Sequence, residues 1–209
     1  MAASPGPDTA QPDPIAAFIN VPYDEEFEAL YLAFVAGLCG LRLKPRATLE
    51  IPGSERRLDR IFELLRICRY SFHDLSRVEL DRKRPRVPRF NMPFELGLIV
   101  GAARAANWKH DWFVFEAKRN RLLKSLSDLN GTEPYIHGAK PLGVLRQLAN
   151  ALPRTQQRPT LDDLKKVHRD IREAAPKIKR EWGTLFDTRP FGELVFVGTD
   201  SARNRIPAG

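Results

Sequence analysis

Two carboxylates, Asp74 and Glu95, stand where a folded chain can use them for chemistry. Asp74 falls near the end of a candidate strand, Tyr70 to Leu75, and Glu95 sits just inside a segment opened by Asn91-Met92-Pro93, where proline suits the first turn of a helix. Carboxylates from separate segments that meet in one cleft can stabilise a carbon that builds positive charge, capture it covalently, or protonate a leaving group. Each also has a plainer reading. Glu95 favours the positive end of its own helix, and Asp74 caps the turn after its strand.

The elements that must position these residues follow from hydrophobic spacing. Ala16 to Val21, stopped by Pro22, predicts a strand buried on both faces. Phe27, Leu30, Tyr31, Phe34 and Leu38 recur at helical intervals behind the acidic Asp24, Glu25 and Glu26, and the helix closes near Gly40. Leu41 to Leu49 predicts a second strand, which Pro45 confines to an edge or shortens. Ser54 is a candidate N-cap for a helix reaching Arg69, with Leu58, Ile61, Phe62, Leu64 and Leu65 on one face. Tyr70 to Leu75 is a third strand, Pro93 to Ala106 a helix rich in small residues, and Asp111 to Glu116 a fourth strand.

Further along, Arg121 to Leu129 predicts a short helix stopped at Asn130-Gly131. Thr132 to Lys140 is expected to be a loop carrying His137 at the surface, with closure over a cleft as the alternative. Leu142 to Leu152 and a long helix beginning at Thr160, kinked at Pro176, come next, and Leu194 to Val197 is a further strand candidate. Phe191 to Gly209 suits either a flap or an interaction tail. Strand and helix in alternation predict an α/β fold: a flavodoxin-like, Rossmann-like, doubly wound and mostly parallel sheet with a helical C-terminal extension. The expected division is a disordered leader over 1–15, an α/β domain over 16–153, and a basic helical extension and tail over 154–209.

Open parallel sheets bind ligands outside the carboxyl ends of their strands. Those ends carry Asn20, Pro22 and Tyr23; His73, Asp74 and Ser76; Phe94 and Glu95 on the following helix; then Glu116, Lys118 and Arg119. Asp128 is a weaker pocket candidate, since Ser127-Asp128-Leu129-Asn130-Gly131 looks first like helix-ending chemistry.

Phe18-Ile19-Asn20-Val21-Pro22-Tyr23, then Asp74-Leu75-Ser76, then Phe94-Glu95-Leu96-Gly97-Leu98 resemble the strand-one loop, strand-three aspartate and helix motif of nucleoside 2-deoxyribosyltransferase-like proteins. Bacterial TIR-like nucleotide-binding proteins belong to the same broad group. The resemblance spans about residues 16 to 140. It implies N-glycosidic bond cleavage or ribosyl transfer on a nucleotide or nucleoside, with Glu95 attacking or supporting the anomeric carbon. Asp74 and Asn20 would then orient sugar or base, with Tyr23 and Phe94 walling the pocket and Pro22, Ser76 and Asp128 beside it. No cofactor is implied, and NAD enters only as a substrate. The alternative is a non-catalytic nucleotide-binding signalling module. Self-association and a place in bacterial defence follow from the TIR-like resemblance alone.

Composition narrows the remaining classes. The chain has 209 residues, 34 Lys and Arg against 26 Asp and Glu, and a net charge of +8, so it is long enough for a sizeable core. The segment from Arg77 to Arg89 holds six basic residues, two acidic ones and two prolines. It reads either as a solvated loop or as a source of bidentate arginine contacts to phosphate. Nucleic acid is not expected, because no aromatic residues interleave with the basic runs to stack bases. Cys39 and Cys68 lack the spacing of a zinc site, so no metal is expected; they read as buried free thiols of a reducing compartment. Neither a membrane span nor a signal sequence is apparent, which gives a cytoplasmic expectation.

Overall fold

The computed structural model describes residues 12–50, 57–77, 88, 90–105, 108–129, 131–152 and 159–206. Among these residues five strands form one sheet: β1 (Asp13–Asn20), β2 (Lys44–Arg46), β3 (Cys68–Asp74), β4 (Asp111–Glu116) and β5 (Tyr135–Ile136). Their order is β2-β1-β3-β4-β5, and every pair is parallel. The chain steps outward from β1 to β2 and then winds the other way from β3 to β5. This is the doubly wound, flavodoxin-like arrangement, whose topological switch point lies between β1 and β3. The registers Asn20↔His73 and Asp74↔Phe115 bring the carboxyl ends of the three central strands side by side.

Helices cover both faces. On one face α2 (Arg57–Ile67) and α3 (Asn91–Ala105) pack Ile61, Leu64, Leu65 and Ile99 against Ala16 and Phe18 of β1. On the other, α1 (Glu28–Gly40) and α5 (Pro141–Ala151) cover Ala17, Ile19, Phe72 and Phe115. The short α4 (Arg121–Ser125) follows β4. Eleven consecutive residues of α1, Leu30 to Gly40, are buried. A helix apolar all round needs partners on every side, and α6 (Leu161–Trp182) and α7 (Thr188–Arg205) supply the outer ones.

Leu164, Val167, Ile171 and Ile178 of α6 and Phe191, Leu194 and Ala202 of α7 join the same core as α1. Each buried Leu, Val, Ile or Phe among them stabilises by about 1.5–3 kcal/mol. Polar ties reinforce the docking: Lys179 Nζ lies 2.7 Å from Glu28 Oε2, and Arg42 Nη2 donates to the Ile206 carbonyl at 2.7 Å. Helix α6 starts on a reciprocal cap between Thr160 and Asp163 and ends on Gly183 at φ +75°.

Several sequence expectations are corrected. Asp13 to Ile15, expected in a leader, open β1, because a ladder partner at Cys68 holds the backbone whatever the side chains are. The second strand spans only Lys44–Arg46 of the expected Leu41 to Leu49, and Pro45 both shortens it and lies on the sheet edge, as expected. Helix α6 runs as one long helix with Pro176 inside it, as expected, and that residue lies on the solvent face where water can satisfy the carbonyl left without a donor. The strand candidate Leu194 to Val197 lies inside α7, whose buried residues Phe191, Leu194, Gly198, Ser201 and Ala202 follow a helical period. The loop over Thr132 to Lys140 contains β5. The Ser54 cap, Asn130 and most of Arg77 to Arg89 lie outside the described residues. Among the described residues no helix is long and apolar enough to cross a membrane.

Candidate functional site at the carboxyl ends of the strands

Asp74 is the last residue of β3, and its side chain is fully buried. Its Oδ1 accepts the Ser76 N–H at 2.8 Å, an Asx turn that bends the chain off the sheet. Its Oδ2 lies 3.0 Å from Nε2 of His137, also fully buried, without a well-aligned hydrogen bond. His137 therefore departs from the surface position expected for it. It follows β5 directly, and its backbone N–H donates to the Glu116 carbonyl at 3.0 Å.

Ser76 ties the tips of β3, β4 and β5 together. Its Oγ accepts from the Ala117 N–H at 2.9 Å and lies 3.1 Å from His137 Nε2. A lone pair on Nε2 would face the Asp74 carboxylate, so the proton belongs on Nε2. Nδ1 has no hydrogen-bond partner among the described residues. A nucleophilic serine relay needs the acid on one ring nitrogen and the serine on the other. Here both approach the same nitrogen, so the trio braces the edge and does not form such a relay.

Glu116 completes the brace. Its carboxylate, 1% exposed, receives Arg121 through Nε at 2.9 Å and through Nη2, and the same Nη2 donates to the Ser76 carbonyl at 2.8 Å. Fork geometry of this kind fixes direction as well as distance. Beside the brace, Arg119, Asn120, Leu122 and Gly131 to Pro134 with Ile136 line an open depression of about 420 Å³.

At the β1 tip, Asn20 is 3% exposed, and its Nδ2 lies 2.9 Å from His73 Nδ1. His73 Nε2 lies 2.9 Å from Ser71 Oγ, which in turn lies 2.8 Å from His110 Nε2, and His110 Nδ1 meets the Cys68 carbonyl at 2.9 Å. Burial, with His110 nearby, pushes the His73 imidazole down to about 3, and burial also lowers His110.

Glu95, the fifth residue of α3, is 3% exposed. Met92 and Leu96 on either side cluster with Leu75, the residue after Asp74, and with Val114, which sets the start of α3 over the tip of β3. Phe94, in contrast, is 54% exposed and lines an apolar groove with Phe62, Gly97 and Leu98. Pro22 is buried; the Tyr23 ring packs on Tyr31 and Phe186, and its hydroxyl donates to the Ile19 carbonyl at 3.1 Å. Asp128 is exposed in a 3-10 turn, Ser127–Leu129. Arg77 pairs with Asp24 at 3.4 Å and with Glu26.

The edge thus gathers Asn20, Asp74 and Ser76 with Glu95 close above β3, while Tyr23, Phe94 and Asp128 face other surroundings. The bracing roles of His137 and Arg121 are absent from the sequence reading. The signal for His137 is the apolar pair Tyr135-Ile136 just before it. Among the described residues no group of three or more His, Cys, Asp or Glu is arranged to hold a metal ion. No family model, curated protein or solved structure matches the chain.

Proposed function

We propose that the chain binds a nucleotide or nucleoside at the carboxyl ends of β1 and β3 and breaks or transfers its N-glycosidic bond, with Glu95 as the working carboxylate. The observation that carries this reading is the burial of Glu95 in a helix turn lying over the β3 tip, beside the switch point where such sheets bind ligands. As the C1′–N bond breaks, its electron pair passes to the base and positive charge grows on C1′. A Glu95 oxygen stabilises that charge or bonds to C1′. Water, or the ring nitrogen of a second base, then adds to C1′; the adding water or N–H base loses one proton to solvent, and Glu95 is restored as carboxylate.

Asp74 supports the reading by position, because its burial against His137 and Ser76 leaves it poorly placed to protonate a departing base. That favours a base needing no proton. Nicotinamide leaves the cationic ring of NAD as a neutral molecule, so NAD-type dinucleotides are the preferred class, ahead of purine or pyrimidine nucleosides.

The same brace favours one alternative. Asp74, Ser76, Glu116 and Arg121 are all engaged internally, which also suits a non-catalytic nucleotide-binding module in signalling or defence. The two readings part on Glu95. Purified protein and its Glu95→Gln variant are incubated with NAD⁺, NADP⁺ and a panel of nucleosides and nucleotides, and free base is followed by chromatography. Release that disappears in the variant supports the glycosidic reading. Absent release with NAD⁺ binding in calorimetry transfers the assignment to the binding module.

A further inference from the structure

The polar chain behind Asn20 has a direction, and elementary hydrogen-bond inventory fixes it. A carbonyl oxygen only accepts, so His110 Nδ1, 2.9 Å from the Cys68 carbonyl, carries a proton. Both imidazoles are held neutral by burial. His110 Nε2 is then an acceptor, and its partner at 2.8 Å, the Ser71 hydroxyl, spends its one proton there. Ser71 Oγ can only accept from its second neighbour, so His73 carries its proton on Nε2. His73 Nδ1 is consequently an acceptor, and Asn20 must offer its amide Nδ2–H at 2.9 Å.

Four contacts thus polarise one way, from Asn20 toward Cys68. The Asn20 carboxamide is left in one of its two flips, with Oδ1 turned away from His73 and unpaired among the described residues. Ser71 and His73 are fully buried, and the His73 ring meets Phe18 edge-on, so the chain has little room to rearrange.

We propose that His73 is a positioning residue: through Ser71 and His110 it locks the Asn20 carboxamide so that the β1 tip offers a fixed acceptor, Oδ1, to a sugar hydroxyl or exocyclic amine of the ligand. The ligand half of this inference rests on the nucleotide reading of the edge, whereas the lock itself does not. A pre-set acceptor has lost its rotational freedom before binding and rejects ligand groups that can only accept.

Long-range proton–nitrogen NMR of the wild-type imidazoles at pH 7 tests the lock. The expected spectrum shows His73 protonated on Nε2 and His110 on Nδ1; His73 protonated on Nδ1, or on both nitrogens, overturns it. Calorimetry with NAD⁺ and 2′-deoxyadenosine then reads the ligand half. Ser71→Ala, which breaks the chain without touching Asn20, is expected to weaken binding about fivefold. Where base release is measurable, KM rises by the same factor with kcat within about twofold of wild type. Ser71→Thr keeps the hydroxyl and is expected to restore both tautomers and affinity. Unchanged affinity in a folded Ser71→Ala, or no binding of either probe by wild type, overturns the ligand half. Expected tautomers with NAD⁺ bound but no base released would count against glycosidic cleavage alone.

Discussion

The Nε2 atom of His137 lies 3.0 Å from Oδ2 of Asp74, and neither side chain reaches solvent. This couples the last strand of the sheet to the central one through side chains alone, because β5 has only two residues and pairs with β4. Removing one member of a buried pair leaves the other uncompensated, at about 3–5 kcal/mol when a charge is stranded.

His137→Ala is accordingly expected to destabilise by about 3 kcal/mol in urea titration. Asp74→Asn should cost less than Asp74→Ala. The amide oxygen still accepts the Ser76 N–H, and His137 can change tautomer to face an amide donor, whereas alanine removes both partners. Equal losses for the two Asp74 variants would mean that Oδ1 contributes nothing to the turn.

Gly143 of α5 guards the same histidine from below. A Cβ at this position would sit 2.0 Å from the His137 carbonyl oxygen and 2.8 Å from its carbonyl carbon, both backbone atoms. Helix and loop must part to admit it. Gly143→Ala is expected to destabilise by about 1–3 kcal/mol and to move the His137 ring resonances, despite the better helix propensity of alanine. A stabilised variant would mean that the helix and the loop separate freely.

Acid should weaken the fold through its neutral histidines. His73 titrates near 3 in the folded chain, because burial and His110 oppose its charge, against 6.5 as its ordinary value. A depressed pKa gives stability that is present above pH 6.5 and is lost as pH falls toward 3, since the unfolded chain takes up the proton first. Between pH 7 and pH 5 the expected loss from His73 alone is about 2 kcal/mol. His168, lowered to about 4 by burial and by Arg172, adds in the same direction. Urea midpoints at the two pH values measure the slope, and His73→Phe should flatten it. An unchanged slope in that variant would mean that the acid sensitivity arises from other groups.

The strands β1, β3 and β4 and helices α1, α3, α5 and α6 are legible in the sequence because each carries enough apolar residues to show a period. The pair Tyr135-Ile136 is too short to show one, and its strand exists only by pairing with Phe115 and Glu116. Sequence alone consequently places His137 at the surface. Helix α7 misleads for a different reason. Leu194-Val195-Phe196-Val197 is locally strand-like, while the helical period that governs it runs through Gly198, Ser201 and Ala202, small residues that admit α1 and α6 closely. A Cβ on Gly198 would meet Cys39 Sγ at 2.9 Å and Ile171 Cδ1 at 2.8 Å. At the edge, residue types at strand ends point to Asn20, Asp74 and Ser76. The pairings that turn Asp74 into a brace depend on residues more than 60 positions away, and no local pattern encodes them.

The most direct test of the glycosidic reading is the rate of base release from NAD⁺ by wild type and by Glu95→Gln, with thermal melts confirming that both are folded. The expected result is release by wild type, a fall of at least about a hundredfold in the variant, and NAD⁺ affinity within a few-fold of wild type. Undiminished release by a folded Glu95→Gln would contradict it.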